Sequence, residues 1–144
     1  MVTIRKDYLK MLVNASWINR VMIAIIYVWF GLLKILGTSP AEGLVTDLFN
    51  TTLLGVMSSS QFVISLGLFE CALGIVWLFP KITKFAFFIL IFHLITTFMP
   101  IVLLPNATWT SFFSLTLVGQ YIVKNLVLFG ASYFLYVFSA PSLR

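Results

Sequence analysis

Residues 61–104 read QFVISLGLFECALGIVWLFPKITKFAFFILIFHLITTFMPIVLL, two apolar runs divided at Pro80-Lys81. A helix needs about 20 apolar residues to cross a hydrocarbon core about 30 Å thick. Each run supplies that length, and the proline–lysine pair leaves room only for a tight turn. The stretch therefore predicts a transmembrane hairpin with spans at 61–79 and 82–104. Outward from it, 17–37 and 119–138 have the same character. Pro105-Asn106 ends the third span, and a short polar, aromatic connector runs from Thr108 to Ser114. The expected fold is a single all-α domain over 1–144, a bundle of four transmembrane helices.

Composition supports lipid as the solvent. Of 144 residues, 61% are hydrophobic, 17% aromatic and only 9% charged, with a mean hydropathy of +1.09. A water-soluble domain carries roughly a quarter charged residues. The single cysteine, Cys71, excludes an intrachain disulfide, a CxxC redox motif and a cysteine metal cluster. The single histidine, His93, excludes a bis-histidine haem from this chain alone. No metal site is expected. The net charge of +5 is dispersed, so it does not point to nucleic acid. The first apolar run begins near residue 17 without a small-residue cleavage site, unlike a secretory signal.

Two flanking segments are expected to lie along the membrane. In Thr3 to Ser16, Ile4, Tyr8, Met11, Leu12 and Ala15 share one helical face. Arg5, Lys6, Asp7, Lys10 and Asn14 share the other, which predicts an amphipathic surface helix. The alternative is a frayed, charged terminus. Between the first two spans, Thr38-Ser39-Pro40-Ala41-Glu42 has the form of a helix start: Ser39 to cap, Pro40 in the first turn, Glu42 at the positive end. Leu44, Val45, Leu48, Phe49 and Leu54 would pack that short interfacial helix against the bundle, and Glu42 and Asp47 argue against a fifth span.

The basic residues set orientation. Arg5, Lys6, Lys10, Arg20, Lys81, Lys84 and Arg144 all fall on one side of a four-span chain, whereas the opposite connections carry only Glu42 and Asp47. The positive-inside rule then puts both termini in the cytoplasm.

Four ionisable residues remain inside the spans, one on each: Lys34, Glu70, His93 and Lys124. Such groups are costly in hydrocarbon and normally face the bundle interior with partners. Counted at about 1.5 Å per residue from the outer ends, Glu70 and His93 share a level about 14–17 Å down, with Lys34 and Lys124 shallower at about 5–8 Å. Each lies on a polar or small-residue stripe: Ala24, Tyr27, Gly31 and Lys34; Gly67, Glu70, Cys71 and Gly74; Ala86, His93, Thr96, Thr97 and Pro100; Gln120, Lys124 and Ala131. The expectation is that the four stripes meet. The plainer alternatives are snorkelling for the two lysines, structural pairing for Glu70 and hydrogen-bonded packing for His93. Cys71 reads as a small core residue.

Several segments are similar to the DoxX-like family of small bacterial membrane proteins. They are Tyr27-Val-Trp-Phe-Gly-Leu-Leu-Lys34, Pro40-Ala-Glu42-Gly43-Leu44, Leu66-Gly-Leu-Phe-Glu70 with Gly74, and Gly119-Gln120-Tyr121-Ile-Val-Lys124-Asn125-Leu126-Val-Leu. The last resembles that family's GQY-x-x-K-N/D-L-x-L ending and is the most specific. His93 with Thr97-Phe98-Met99-Pro100 is similar to the third helix of one branch, so the likeness runs from residue 20 to 138.

The resemblance implies a four-helix protein of the bacterial inner membrane, linked to thiosulfate or quinol oxidation, oxidative-stress defence or membrane chaperoning. The cysteine pairs of redox-partner members of related families are missing, which counts against thiol chemistry.

The leading expectation is an accessory subunit, not a stand-alone enzyme, that binds a quinone-like molecule in the outer half of the bundle. Lys34, Lys124 and Gln120 would donate to its head, Glu70 and His93 would be the candidate catalytic, proton-handling pair, and Tyr27, Phe30 and Tyr121 would line the site. Glu42 and Asn125 would be structural. Two other readings stand beside it: an assembly factor that docks other membrane subunits or a second copy of itself, and a proton-coupled exporter.

Overall fold

In a computed structural model the protein is helical apart from one small hairpin, with four helices long and apolar enough to cross a membrane. The structure describes residues 2–53 and 56–139; the side chains of Ile4 and Arg5, and the expected roles of Leu54 and Arg144, lie outside the described residues.

The first helix, α1 (Val2–Ile35), is continuous. The separate surface helix expected before residue 17 is therefore the first part of one long helix. Neither proline nor glycine occurs before Gly31, so nothing in the chain interrupts the ladder. At 1.5 Å per residue α1 is about 51 Å long, which exceeds a bilayer core. Residues 6–11 are accordingly exposed. Gly37, with φ +65°, then lets the chain leave the helix.

The short helix after the first span is present as α2 (Glu42–Thr52). Its start differs from the expectation by two residues. The Ser39 hydroxyl accepts from the Ala41 N–H (3.3 Å) and the Ser39 carbonyl from the Glu42 N–H (3.1 Å), so Ser39 and Pro40 form a turn before the helix. Glu42 stands in the first turn, as expected for the positive end. Phe49 is buried against Phe62, with ring centroids 4.8 Å apart.

Ser58 then opens α3 (Ser59–Val76) with a capping box shared with Gln61. A 3-10 turn at Pro80–Ile82 makes the tight connection to α4 (Thr83–Leu103), as the quoted stretch predicts. The connector after α4 holds one helical turn, α5 (Pro105–Thr108), and a hairpin of β1 (Trp109–Ser111) and β2 (Ser114–Leu115). Phe112 and Phe113 at its tip are exposed. The fourth span is two helices, α6 (Leu117–Lys124) and α7 (Leu126–Phe138), broken at Asn125. There the backbone N–H turns to the Ile122 carbonyl (3.0 Å), and the side-chain amide donates to the Tyr121 carbonyl (3.3 Å). A side-chain amide competing for helix carbonyls in this way is a local reason for the break.

The core lies where α1, α3, α4 and α7 converge, around Ile23, Tyr27, Leu73, Trp77, Leu90 and Leu135. α1 and α3 approach closely. A Cβ at Gly31 would stand 2.6 Å from the Gly67 carbonyl, and one at Gly67 2.7 Å from the Gly31 carbonyl. Paired glycines are what let two helix backbones come so close.

Candidate functional site

The α1–α3 contact places Lys34 against Glu70. The Lys34 Nζ donates to Glu70 Oε2 at 2.6 Å, and both side chains are more than nine-tenths buried. Glu70 Oε1 faces His93 Nε2 on α4 at 3.2 Å. The other ring nitrogen, Nδ1, meets the Tyr27 hydroxyl of α1 at 3.2 Å. One connected chain thus runs Lys34–Glu70–His93–Tyr27 through three helices.

Hydrogen-bond chemistry fixes the proton positions. An ionised carboxylate only accepts, so Nε2 carries a hydrogen and donates to Glu70. In neutral His93, Nδ1 then accepts from the Tyr27 hydroxyl. In the imidazolium form Nδ1–H donates instead to the Tyr27 oxygen, with Thr97 Oγ1 at 3.5 Å as a second acceptor. The Thr97 proton is committed to the His93 carbonyl (2.9 Å), which leaves its oxygen lone pair for the ring. Both protonation states of His93 therefore have partners in place. With His93 neutral, the Lys34 and Glu70 charges cancel.

Aromatic packing holds the ring on both flanks. Tyr27 stands edge-on with centroids 5.3 Å apart, and Phe69 lies at 5.8 Å. Cys71 donates weakly to the Val28 carbonyl (3.6 Å), consistent with a small packing residue.

The fourth span contributes differently from the expectation. Gln120 and Lys124 are exposed; Gly119, Ile122, Leu128, Ser132 and Leu135 face inward. The cause is at Gly119, whose missing Cβ would collide with the Thr108 carbonyl, a contact that fixes the rotation of α6. Lys124 Nζ instead lies 4.9 Å from the Tyr121 ring centroid, a cation–π pair, and Gln120 donates to the Leu115 carbonyl at 3.4 Å. Phe30 and Tyr121 are also exposed, so of the expected ligand set the structure assembles Tyr27, Lys34, Glu70 and His93 and leaves out Phe30, Gln120, Tyr121 and Lys124.

A second polar site was not anticipated. Arg20, assigned only a topological role by its charge, is 2% exposed. Its guanidinium donates to the Trp77 carbonyl (3.1 Å), Thr83 Oγ1 (2.7 Å) and Ser139 Oγ (3.4 Å). These mark the end of α3, the start of α4 and the end of α7, so one side chain of α1 ties all three other spans. The sequence did hold a signal: Arg20, Tyr27 and Lys34 recur every seven residues, on the face already marked by Ala24 and Gly31.

Two surface clefts lie at opposite ends of the bundle. One, of about 440 Å³, is bordered by Asp47, Asn50, Thr51 and Leu103 to Ala107. The other, of about 560 Å³, is bordered by Pro80 to Phe85 and Ser139. Among the described residues no three metal-ligating side chains converge. Comparison of the chain with protein-family models, with curated proteins and with solved structures finds no match.

Proposed function

We propose that this is a multi-pass protein of a bacterial inner membrane, DoxX-like in type, that serves as an accessory subunit handling protons for a quinone-like redox molecule. The observation that carries the reading is the seat of His93. Its ring bridges a carboxylate and a phenol, with partners for both protonation states, on helices apolar enough to cross a membrane. A relay of this kind can deliver or accept the protons that accompany quinone reduction. Membrane placement with both ends in the cytoplasm is supported by Lys6, Lys10, Arg20, Lys81 and Lys84 at one end of the bundle and by Glu42 and Asp47 at the other. Lys124 and Gln120 act in this reading only from the lipid-facing side of α6.

The test is to purify wild type and His93→Gln in mild detergent and quantify co-extracted quinones. Wild type is expected to retain quinone, with His93→Gln retaining about tenfold less. No quinone on wild type, together with unchanged quinone-dependent respiration in membranes carrying His93→Gln, sinks the proposal.

A second reading, an assembly factor whose polar chain locks the bundle, is favoured by one specific feature. The ion pair sits directly beside the Gly31–Gly67 backbone contact, where it would clamp α1 to α3. A stoichiometric membrane partner recovered equally with wild type and His93→Gln would support it over the redox role.

A further inference from the structure

The sequence has four acidic side chains, and among the described residues none pairs with Arg20. Glu70 is held by Lys34. Glu42 and Asp47 belong to α2 at the opposite end of the bundle. Asp7 lies thirteen residues earlier on α1, about 20 Å along the axis. Arg20 is instead surrounded by a carbonyl and two hydroxyl oxygens. Neutral acceptors satisfy hydrogen bonds but leave the charge uncompensated, and a buried charge without a counter-charge is costly.

The 560 Å³ cleft opens beside these partners. Thr83 and Ser139, which accept from Arg20, also line it, together with Lys81 and Lys84. The hydroxyl protons of Thr83 and Ser139 are committed to the Pro80 (2.9 Å) and Leu135 (2.8 Å) carbonyls, so these oxygens repel an anion unless cations stand by. Three cations do. The contact to Ser139 is the longest of the three made by Arg20, and the guanidinium has five N–H donors in all. Exposed Ile82 and Phe85 flank the same cleft, so basic and apolar surface occur side by side.

We propose that this cleft binds a phosphate-bearing anion, with Lys81 and Lys84 clasping it and the Arg20 guanidinium supplying the buried counter-charge. The adjoining Ile82 and Phe85 suit the acyl end of an acidic phospholipid. A free phosphate shares the head chemistry and differs only in lacking that apolar contact. The bound anion would bridge the α3–α4 turn and the end of α7, the junction that Arg20 already ties together. The inference is independent of any redox role for His93.

The full chain in lipid nanodiscs tests it, with retained lipids counted by native mass spectrometry. In a mixture of phosphatidylcholine and phosphatidylglycerol, wild type is expected to retain phosphatidylglycerol preferentially, including at about 0.5 M salt, where the Debye length falls to roughly 4 Å. Lys81→Gln with Lys84→Gln, both exposed, should reduce that preference about tenfold or more, since near-surface basic residues each contribute about fivefold. Arg20→Lys, which keeps the charge but loses the planar fork, should also reduce it. Displacement by millimolar inorganic phosphate would assign the site to phosphate in general; retention against it would assign the lipid headgroup. Equal retention of the two lipids, an undiminished preference in the double variant, or a preference abolished by salt overturns the proposal.

Discussion

Arg20 and Lys34 lie on the same face of α1, about 21 Å apart along its axis, and both are buried. Lys34 meets a carboxylate at 2.6 Å, and that carboxylate meets a histidine at 3.2 Å, so charge is cancelled within the chain. Arg20 meets only neutral oxygens, from three helix ends. The two sites occupy different places for a physical reason. At the Lys34 site glycines bring α1 and α3 into backbone contact, where a short ion pair fits. At the Arg20 site three long helices end, and their terminal carbonyl and hydroxyl oxygens can share one branched donor. A carbonyl at a helix C-terminus is already partly negative, which is why Arg20 settles beside Trp77.

The sharpest break of this contrast is at Glu70. Glu70→Ala leaves the Lys34 cation buried and unpaired, and removing one partner of a buried pair costs about 3–5 kcal/mol. Lys34→Met with Glu70→Leu together should recover most of that loss, because neither charge is then stranded. Unfolding of the four proteins in detergent, followed by circular dichroism, completes the double-mutant cycle. A loss below about 1 kcal/mol for Glu70→Ala would place the pair in the class of solvent-screened surface bridges.

The glycine contact comes next. Gly31→Ala forces a Cβ against the Gly67 carbonyl and the Cys71 sulfur, 2.6 and 2.7 Å away, and should cost about 1–3 kcal/mol by overpacking. It should also reduce the effect of Glu70→Ala measured on top of it, since separating α1 from α3 lengthens the ion pair. Gly130→Ala is the control: nothing stands within 4 Å of its Cβ, and alanine in a helix interior is better than glycine by up to about 1 kcal/mol. The same unfolding assay reads both signs.

At the other site, Arg20→Met removes three hydrogen bonds and a buried charge together. Those effects oppose each other, so the net loss should be only about 1–2 kcal/mol in a zwitterionic detergent. Lys34→Met, which strands Glu70, should be the more damaging of the two. If Arg20→Met were the costlier, the Arg20 site would be better compensated than its neutral partners indicate, and an external anion would be the first candidate.

How far these sites were legible follows from what each depends on. The hairpin 61–104, the count of four spans and the inward stripes of α1, α3 and α4 rest on apolar length and period, which single residues display. The pairing of Glu70 with His93 was legible from depth alone. Arg20 was not, because a basic residue near a span end serves topology equally well, and only the packing of three helix ends buries it. The facing of Gln120 and Lys124 was misjudged for a related reason. Polarity says that a side chain wants a partner; it does not say where the partner is. For Lys124 it is the Tyr121 ring on the surface, and α6 is rotated by the clash that Gly119 avoids with Thr108.

The smallest change probes the end of the Lys34–Glu70–His93–Tyr27 chain. Tyr27→Phe keeps the ring that packs edge-on against His93 and removes only the hydroxyl at 3.2 Å from Nδ1. A neutral hydrogen bond contributes about 1 kcal/mol net, so stability should fall by about that amount and no more. The effect on the ring's proton should be qualitative by comparison. Without the phenol, neutral His93 loses its donor at Nδ1, while the imidazolium keeps Thr97 Oγ1 as an acceptor. ¹⁵N spectra of His93 should show this as a moved Nδ1 resonance in Tyr27→Phe, with Nε2, which faces Glu70, moving little. An unchanged Nδ1 resonance would mean that the phenol packs beside the ring without sharing its proton, and the relay would end at His93.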